Sequence, residues 1–251
     1  MPDFSLAGRT VLLTGAGRGI GRALLAELLG RQVRRVLVVG RDASRLRALE
    51  QSLPCIEGHE ADLSDQAQLE RLTASLTNYP DLSVVINNAG SQRLTDLMDP
   101  EADHHRPALA AEMIANFSAP VQLCVALLPQ LLRQPSAMIV NVTSGLALAP
   151  KQSAPVYCAA KAGLRSFTKS LRYQARARAP HIRIMEALPP LVDTDMTKGR
   201  GRGKLSAEAC AAEIVKGMER GLDSIYVGKA KLLRAVHGCS PSLADQLMRR
   251  G

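Results

Sequence analysis

The stretch RTVLLTGAGRGIGRALLAELL, residues 9–29, changes character at Gly15. Before that point, residues 9–14 are short and apolar, the composition of a buried strand. After it, apolar residues recur at helical spacing over residues 19–30. Gly15, Gly19 and Gly21 lie at the junction. Glycines at such a turn let the backbone bend sharply, approach a ligand closely and pack the helix on the sheet. The helix N-terminus meanwhile offers free N–H groups to an anion such as a pyrophosphate. The spacing is G-x-x-x-G-x-G, because Ile20 breaks the G-x-G-x-x-G register. A glycine cluster alone signals no more than a tight turn, but after the first strand of an α/β chain it becomes informative.

The rest of the chain repeats that alternation. Strands are expected at residues 35–39, 83–87, 137–142 and 182–187, with weaker ones near 55–59 and 225–227. Helical patterns fall near 43–52, 65–77, 103–132, 155–178 and 206–220. Several strands read apolar almost continuously, as strands covered on both faces must. The expected fold is therefore α/β: a single Rossmann-type doubly wound parallel sheet with helices on both faces and right-handed crossovers. No repeat or Pro-rich linker divides residues 1–251, so one domain is expected. Irregular chain is concentrated after residues 90, 144 and 188, following strand ends, where ligands bind in such sheets.

Composition excludes several classes. At 251 residues and 46% apolar content the chain can fill a sizeable core. No apolar run reaches the roughly 18 residues of a membrane span; the longest, VQLCVALLPQLL, carries Gln122, Pro129 and Gln130. The N-terminal residues lack a secretory pattern, and the five cysteines are scattered without a C-x-x-C pair. Free thiols in a cytoplasmic, reducing compartment are expected. The net charge of +9 invites a nucleic-acid or membrane partner, yet the arginines are spread through every helix and aromatics are only 3%. Solvated helix faces explain it better, so neither partner is expected. His104 and His105 are adjacent and lack a third ligand, so no metal is expected.

Where NAD-binding sheets carry an acidic residue at the end of the second strand, this chain reads VVGRD: Gly40, then Arg41. Arg41 and Arg18 offer guanidinium donors suited to a 2′-phosphate, which favours NADP(H) over NAD(H). Asp42 is better placed to cap the helix ASRLRAL.

In APVYCAAKAGLRSF, residues 154–167, Tyr157 and Lys161 stand i and i+4 on one helix face. An ammonium beside a phenol favours tyrosinate, so Tyr157 is expected to have a lowered pKa and to serve as acid or base. Ser144 follows the fifth strand in VNVTSGLALAP, INNAG (86–90) ends the fourth, and Asn116 sits inside a helix where a lone amide needs a partner.

T-G-x-x-x-G-x-G, N-N-A-G, an isolated helical Asn, a Ser and Y-x-x-x-K, in this order, resemble the short-chain dehydrogenase/reductase family in its branch of about 250 residues. The stretches SGLA, PVYCAAKAGLRSFTKSLR and PPLVDT are similar to its lipoteichoic-acid D-alanylation-type oxidoreductases. The resemblance implies a homodimer or homotetramer, assembled through the helices near 103–132 and 155–178, acting on a small carbonyl or alcohol compound. It implies that Tyr157 is the acid/base, Lys161 lowers its pKa and binds the nicotinamide ribose, Ser144 orients the reacting oxygen, and Asn116 positions a proton-relaying water. It further implies that Gly15, Gly19, Ile20, Gly21, Asn88, Ala89 and Gly90 line the cofactor and that Asp62 and Leu63 border the adenine. One departure stands out: the family's P-G-x-V-x-T reads PPLVDT, with Pro190 in the glycine's place. Val192 and Thr194 remain available to hold the nicotinamide amide. The following TKGRGRGK (197–204) reads either as a lid within 191–207 that attracts an anionic substrate or as a solvated loop. Cys158 is expected to be an inert buried thiol, and Leu243 and Leu247 to pack on a neighbouring element. The rival to an enzyme is a cofactor-binding sensor or scaffold without turnover.

Overall fold

The computed structural model describes residues 3–249. Strands and helices alternate as β1 (Thr10–Thr14), α1 (Gly19–Gly30), β2 (Arg35–Gly40), α2 (Ala43–Ser52), β3 (Ile56–Glu60), α3 (Gln66–Leu76) and β4 (Leu82–Asn87). There follow α4 (Arg106–Met113), a π-helical turn (Ile114–Ser118), α5 (Ala119–Leu131), β5 (Ala137–Val142), α6 (Pro155–Arg178), β6 (Ile182–Leu188), α7 (Ala207–Glu219), β7 (Ser224–Tyr226), α8 (Ala230–Cys239) and α9 (Pro241–Met248). The strands form one sheet in the order β3-β2-β1-β4-β5-β6-β7, with every pairing parallel. The chain winds outward from β1 to β3, then returns to β4 on the other side of β1. That reversal opens a crevice at the carboxyl ends of β1 and β4.

Strand side chains alternate between two cores. Val11, Leu13, Val36 and Val38 face a layer with Leu24 and Leu28 of α1 and Ile214 and Met218 of α7. Leu12, Leu37, Val85 and Ile139 face the opposite layer with Leu69 and Leu72 of α3 and Leu123 and Leu127 of α5. Both faces are dry, which is why the strands read as apolar runs.

Local sequence starts several helices. The Asp42 carboxylate accepts from the Arg45 N–H at 3.1 Å and caps α2 as expected. Asp65 and Ser206 cap α3 and α7 in the same way. Pro155 opens α6, where its missing N–H would have no partner in any case.

Three expectations need correcting. The helix expected over 103–132 is interrupted by the π turn at Ile114–Ser118. Pro120 has no N–H to return to the Asn116 carbonyl four residues back, so regular α geometry cannot run through this point. Within the helical stretch Ala102–Leu131, an 18-residue window with mean hydropathy 1.4 is also apolar enough to match a membrane span by composition. In this fold it is a core helix: Leu123, Leu127 and Leu131 are buried against the sheet layer. Finally, Leu243 and Leu247 of α9 are not buried by a neighbouring element: they are 48% and 60% exposed, while Ala244 takes the buried position.

Candidate active site

The first turn and the fourth strand are stitched together at the crevice. The Thr14 hydroxyl accepts from the backbone N–H groups of Asn88 and Ala89 at 3.0 and 2.9 Å, and Asn88 Nδ2 donates to the Thr14 carbonyl at 2.9 Å. The backbones approach so closely that side chains are excluded. Gly15 has φ +75°, and a Cβ there would fall 2.9 Å from Ala89 Cα; a Cβ on Gly21 would fall 2.0 Å from the Gly15 carbonyl. Beneath the crevice, Asn87 Nδ2 donates to Asn141 Oδ1 at 2.8 Å, and Asn141 Nδ2 donates to Thr168 Oγ1 at 2.9 Å. This buried ladder ties β4 and β5 to α6, the helix carrying Tyr157 and Lys161.

Every site residue named from the sequence lines one continuous cavity, from Gly15, Gly19, Ile20 and Gly21 to Val192 and Thr194. Its volume is about 1550 Å³. A single small-molecule site is roughly 300–1,000 Å³, so the cavity has room for more than one small molecule. At one end Arg18 and Arg41 are exposed and Asp62 lies 3.6 Å from Arg41. Burial works to raise the Asp62 pKa, but hydrogen bonds from Ser64 and the Arg41 charge hold the carboxyl below its ordinary value. Leu63 is buried beside it. No carboxylate occupies the end of β2, since Asp42 is turned to its cap.

At the other end Ser144, Tyr157 and Lys161 meet. A hydrogen bond with Ser144 pulls the Tyr157 phenol down, but burial outweighs it and pushes the pKa up to about 12. The Lys161 ammonium donates to the Val142 carbonyl at 2.9 Å and stands 5.8 Å from the Tyr157 ring centroid. Burial pushes Lys161 down to about 8. The expectation that Lys161 lowers the phenol is therefore not met here, because desolvation of the phenol is the larger effect. Asn116, fully buried on the π turn, donates from Nδ2 to Ser91 O and Glu112 O, at 2.8 and 2.9 Å. Asn116 Oδ1 has no partner, and a Cβ on Gly90 would lie 2.6 Å from it and 3.6 Å from Lys161 Nζ. Asn116 and Lys161 thus share the space beside Gly90.

Sequence reading missed Thr14, Glu112 and Lys151. Glu112 lines the cavity, 3% exposed, accepting from the Arg93 N–H at 2.9 Å on one oxygen and leaving the other unpartnered. Its position four residues before Asn116, on the same helix face, was the available signal. Pro190 lines the cavity without disturbing its neighbours: the Pro189 carbonyl accepts from Gly145 N–H at 3.0 Å, and Val192 pairs with Leu205. Segment 197–204 is tied down, with Arg200 donating to Gln92 at 2.7 Å, Lys204 to Asp193 at 3.1 Å and Lys229 to the Gly203 carbonyl at 3.0 Å. Its alternating glycines 199, 201 and 203 all have positive φ. Cys158 is 4% exposed, and burial raises its pKa, as for an inert thiol.

Residues 9–204 match the short chain dehydrogenase family. The chain is similar to an uncharacterised oxidoreductase, DltE, of Bacillus subtilis (strain 168), with 37% identity over 91% of this chain and 89% of the relative. It is 32% identical to the D-erythrulose reductase of Gallus gallus over 78% of this chain and 76% of that one. A Burkholderia cenocepacia short chain dehydrogenase solved with NADP superposes with a TM-score of 0.86 at 26% identity, covering 98% and 99% of the two chains. A Burkholderia phymatum relative solved with NAD gives 0.82 at 22% identity, covering 98% and 97%. With the parallel sheet and the glycine turn at the reversal of strand order, these matches establish that the chain belongs to the short-chain dehydrogenase family of oxidoreductases.

Proposed function

We propose that the protein is an NADP(H)-dependent oxidoreductase that interconverts a small carbonyl compound and its alcohol, with Tyr157 as general acid/base. The observation that carries this reading is the meeting of Ser144, Tyr157 and Lys161 at one end of a cavity that begins at the glycine turn. The N–H groups at the start of α1 would hold the pyrophosphate. Arg18 and Arg41 would take the 2′-phosphate, Asp62 and Leu63 the adenine end, Asn88 to Gly90 the floor, and Val192 and Thr194 the nicotinamide amide. When bound, the nicotinamide supplies or accepts a hydride.

The chain's own part is the proton. Ser144 holds the substrate oxygen, and Tyr157, neutral at physiological pH with its pKa near 12, donates its proton to that oxygen as the carbonyl is reduced. The Lys161 ammonium faces the phenol ring and stabilises the tyrosinate that results. Asn116 keeps an unpaired oxygen beside Lys161, suited to a water that returns the proton. The reductase from Gallus gallus and the NADP complex from Burkholderia cenocepacia support the reaction and cofactor classes.

Residues 1–251 act as one unit, with 191–207 bordering the substrate end. The exposed Val125 of α5 and Tyr173 of α6 support a homodimer or homotetramer through these helices. The free cysteines support a cytoplasmic, reducing setting. The test is NADPH against NADH consumption over a panel of aldehydes, ketones and 3-ketoacyl thioesters, with the alcohol product identified. NADPH-dependent reduction of at least one of them is expected. Cofactor binding with no turnover anywhere in the panel would point to a sensor instead, and indifference between the two cofactors would defeat the roles given to Arg18 and Arg41.

A further inference from the structure

Lys151 precedes α6 by four residues and lines the cavity that contains Tyr157, yet it is only 9% exposed. Its backbone carbonyl faces the Cys158 thiol at 3.9 Å, which sets it against the first turn of α6, next to Tyr157. Buried cations are normally paired. Among the described residues, none of the ion pairs includes Lys151, and its ammonium has no hydrogen-bond partner. Its charged neighbour is a second cation, Arg200, which repels it and adds to the lowering that burial imposes on its pKa. Arg200 is bonded to Gln92, which lines the cavity, while Arg200 itself stands behind the lining. Among the other cations that line the cavity, Lys204 is engaged by Asp193, Lys229 by the Gly203 carbonyl and Lys161 by the Val142 carbonyl, while Arg93 and Arg202 are exposed to solvent. A buried cation on a cavity wall, with a second cation beside it and neither matched by a carboxylate, is complementary to an anion brought in by the ligand.

We propose that the carbonyl substrate carries an oxyanion, carboxylate or phosphate, and that Lys151, with Arg200 beside it, is the receptor for that group. This rests on the reading of the Tyr157 end as a carbonyl site. It moves the anion-attracting role from the 197–204 loop as a whole to a buried lysine before α6. Glu112, on α4 and one oxygen short of a partner, lies in the same cavity and disfavours an anion placed on its own side.

The test uses the full chain with NADPH and two matched substrate pairs: acetoacetate against methyl acetoacetate, and dihydroxyacetone phosphate against dihydroxyacetone. In the wild type at least one anion should exceed its neutral partner in kcat/KM by roughly tenfold or more; the pair concerned tells carboxylate from phosphate. In Lys151→Met that ratio should collapse towards one through a rise in KM for the anion, and Lys151→Arg should restore part of it. Arg200→Gln should give a smaller loss of the same sign. Equal kcat/KM for both members of each pair in the wild type, or a preference that survives Lys151→Met, overturns the proposal. If Lys151→Met fails to fold, the wild-type ratio and Arg200→Gln decide. Should none of the four compounds be reduced, the carbonyl assignment is decided by the wider panel and the subsite by binding alone. Butanoate, but not butanamide, should then raise the melting temperature of the wild type and not of Lys151→Met, and equal effects on both proteins would reject the subsite.

Discussion

Two buried lysines, Lys151 and Lys161, line the same cavity as Tyr157. The Lys161 pKa is lowered from an ordinary 10.5 to about 8, so the native state holds this proton less tightly than the unfolded chain. Below pH 8 the buried charge is thus a net cost, on the order of 3 kcal/mol for a shift of this size. The cost disappears as pH rises through the window between 8 and 10.5, because the unfolded chain is the last to lose the proton. Lys161→Met should therefore be more stable than the wild type at pH 7, by about 1–3 kcal/mol, and the advantage should shrink at pH 9.5. Urea midpoints at the two pH values check this; a variant less stable at pH 7 would show that the Val142 hydrogen bond outweighs the desolvation. Reductase activity should be lost in the same variant. The residues named from the sequence all reach the cavity because each belongs to a motif with its own spacing. Lys151 was invisible because APKQSAP reads as a polar surface loop, and only the fold buries it. The raised phenol pKa was equally out of reach, since it depends on how much chain covers Tyr157 rather than on which residue stands four positions on.

At the scale of elements, the position of α6 matters most, because it carries Tyr157 and Lys161, the two side chains proposed to handle the proton. Besides the Asn87–Asn141–Thr168 ladder, Arg165 of α6 donates to Glu186 of β6 at 2.5 Å and to the Tyr226 hydroxyl at 3.2 Å. Glu186 is fully buried and also accepts from Thr143 at 2.7 Å. Glu186→Leu leaves the Arg165 charge without its partner and should cost about 3–5 kcal/mol. The double replacement Arg165→Met with Glu186→Leu should recover much of that loss. Denaturant unfolding of the three variants measures it, and additive losses would show that the pair is not coupled. All seven strands were legible because β-branched and apolar runs are bounded by turn residues. Helices α8 and α9 were not assigned: they are ten and eight residues long and leave Leu232, Leu243 and Leu247 exposed, so their apolar residues do not mark one buried stripe. The π turn was signalled indirectly, by an amide inside a helix and Pro120 four residues beyond it.

At the scale of the whole molecule, strand order decides function. Because the order in which strands are added reverses between β1 and β4, the glycine turn and the Tyr157 end open into the same cavity, though they are more than 130 residues apart in sequence. Alternation of strands and helices was enough to anticipate a doubly wound sheet, whereas the register and the packing that bury Lys161 and Glu186 required coordinates. The exposed apolar residues of α5 and α6 carry a prediction at this scale: light scattering should find a dimer or tetramer, and Val125→Asp with Tyr173→Asp should give a monomer. A wild type that is monomeric at tens of micromolar would contradict it. The central claim is that the Tyr157 phenol delivers the proton to a carbonyl held by Ser144. Its most direct test is steady-state carbonyl reduction by Tyr157→Phe, with NADPH binding followed in parallel by fluorescence. The account predicts a fall in kcat of about 10²–10⁴-fold with NADPH still bound, and turnover undiminished by loss of the hydroxyl would contradict it.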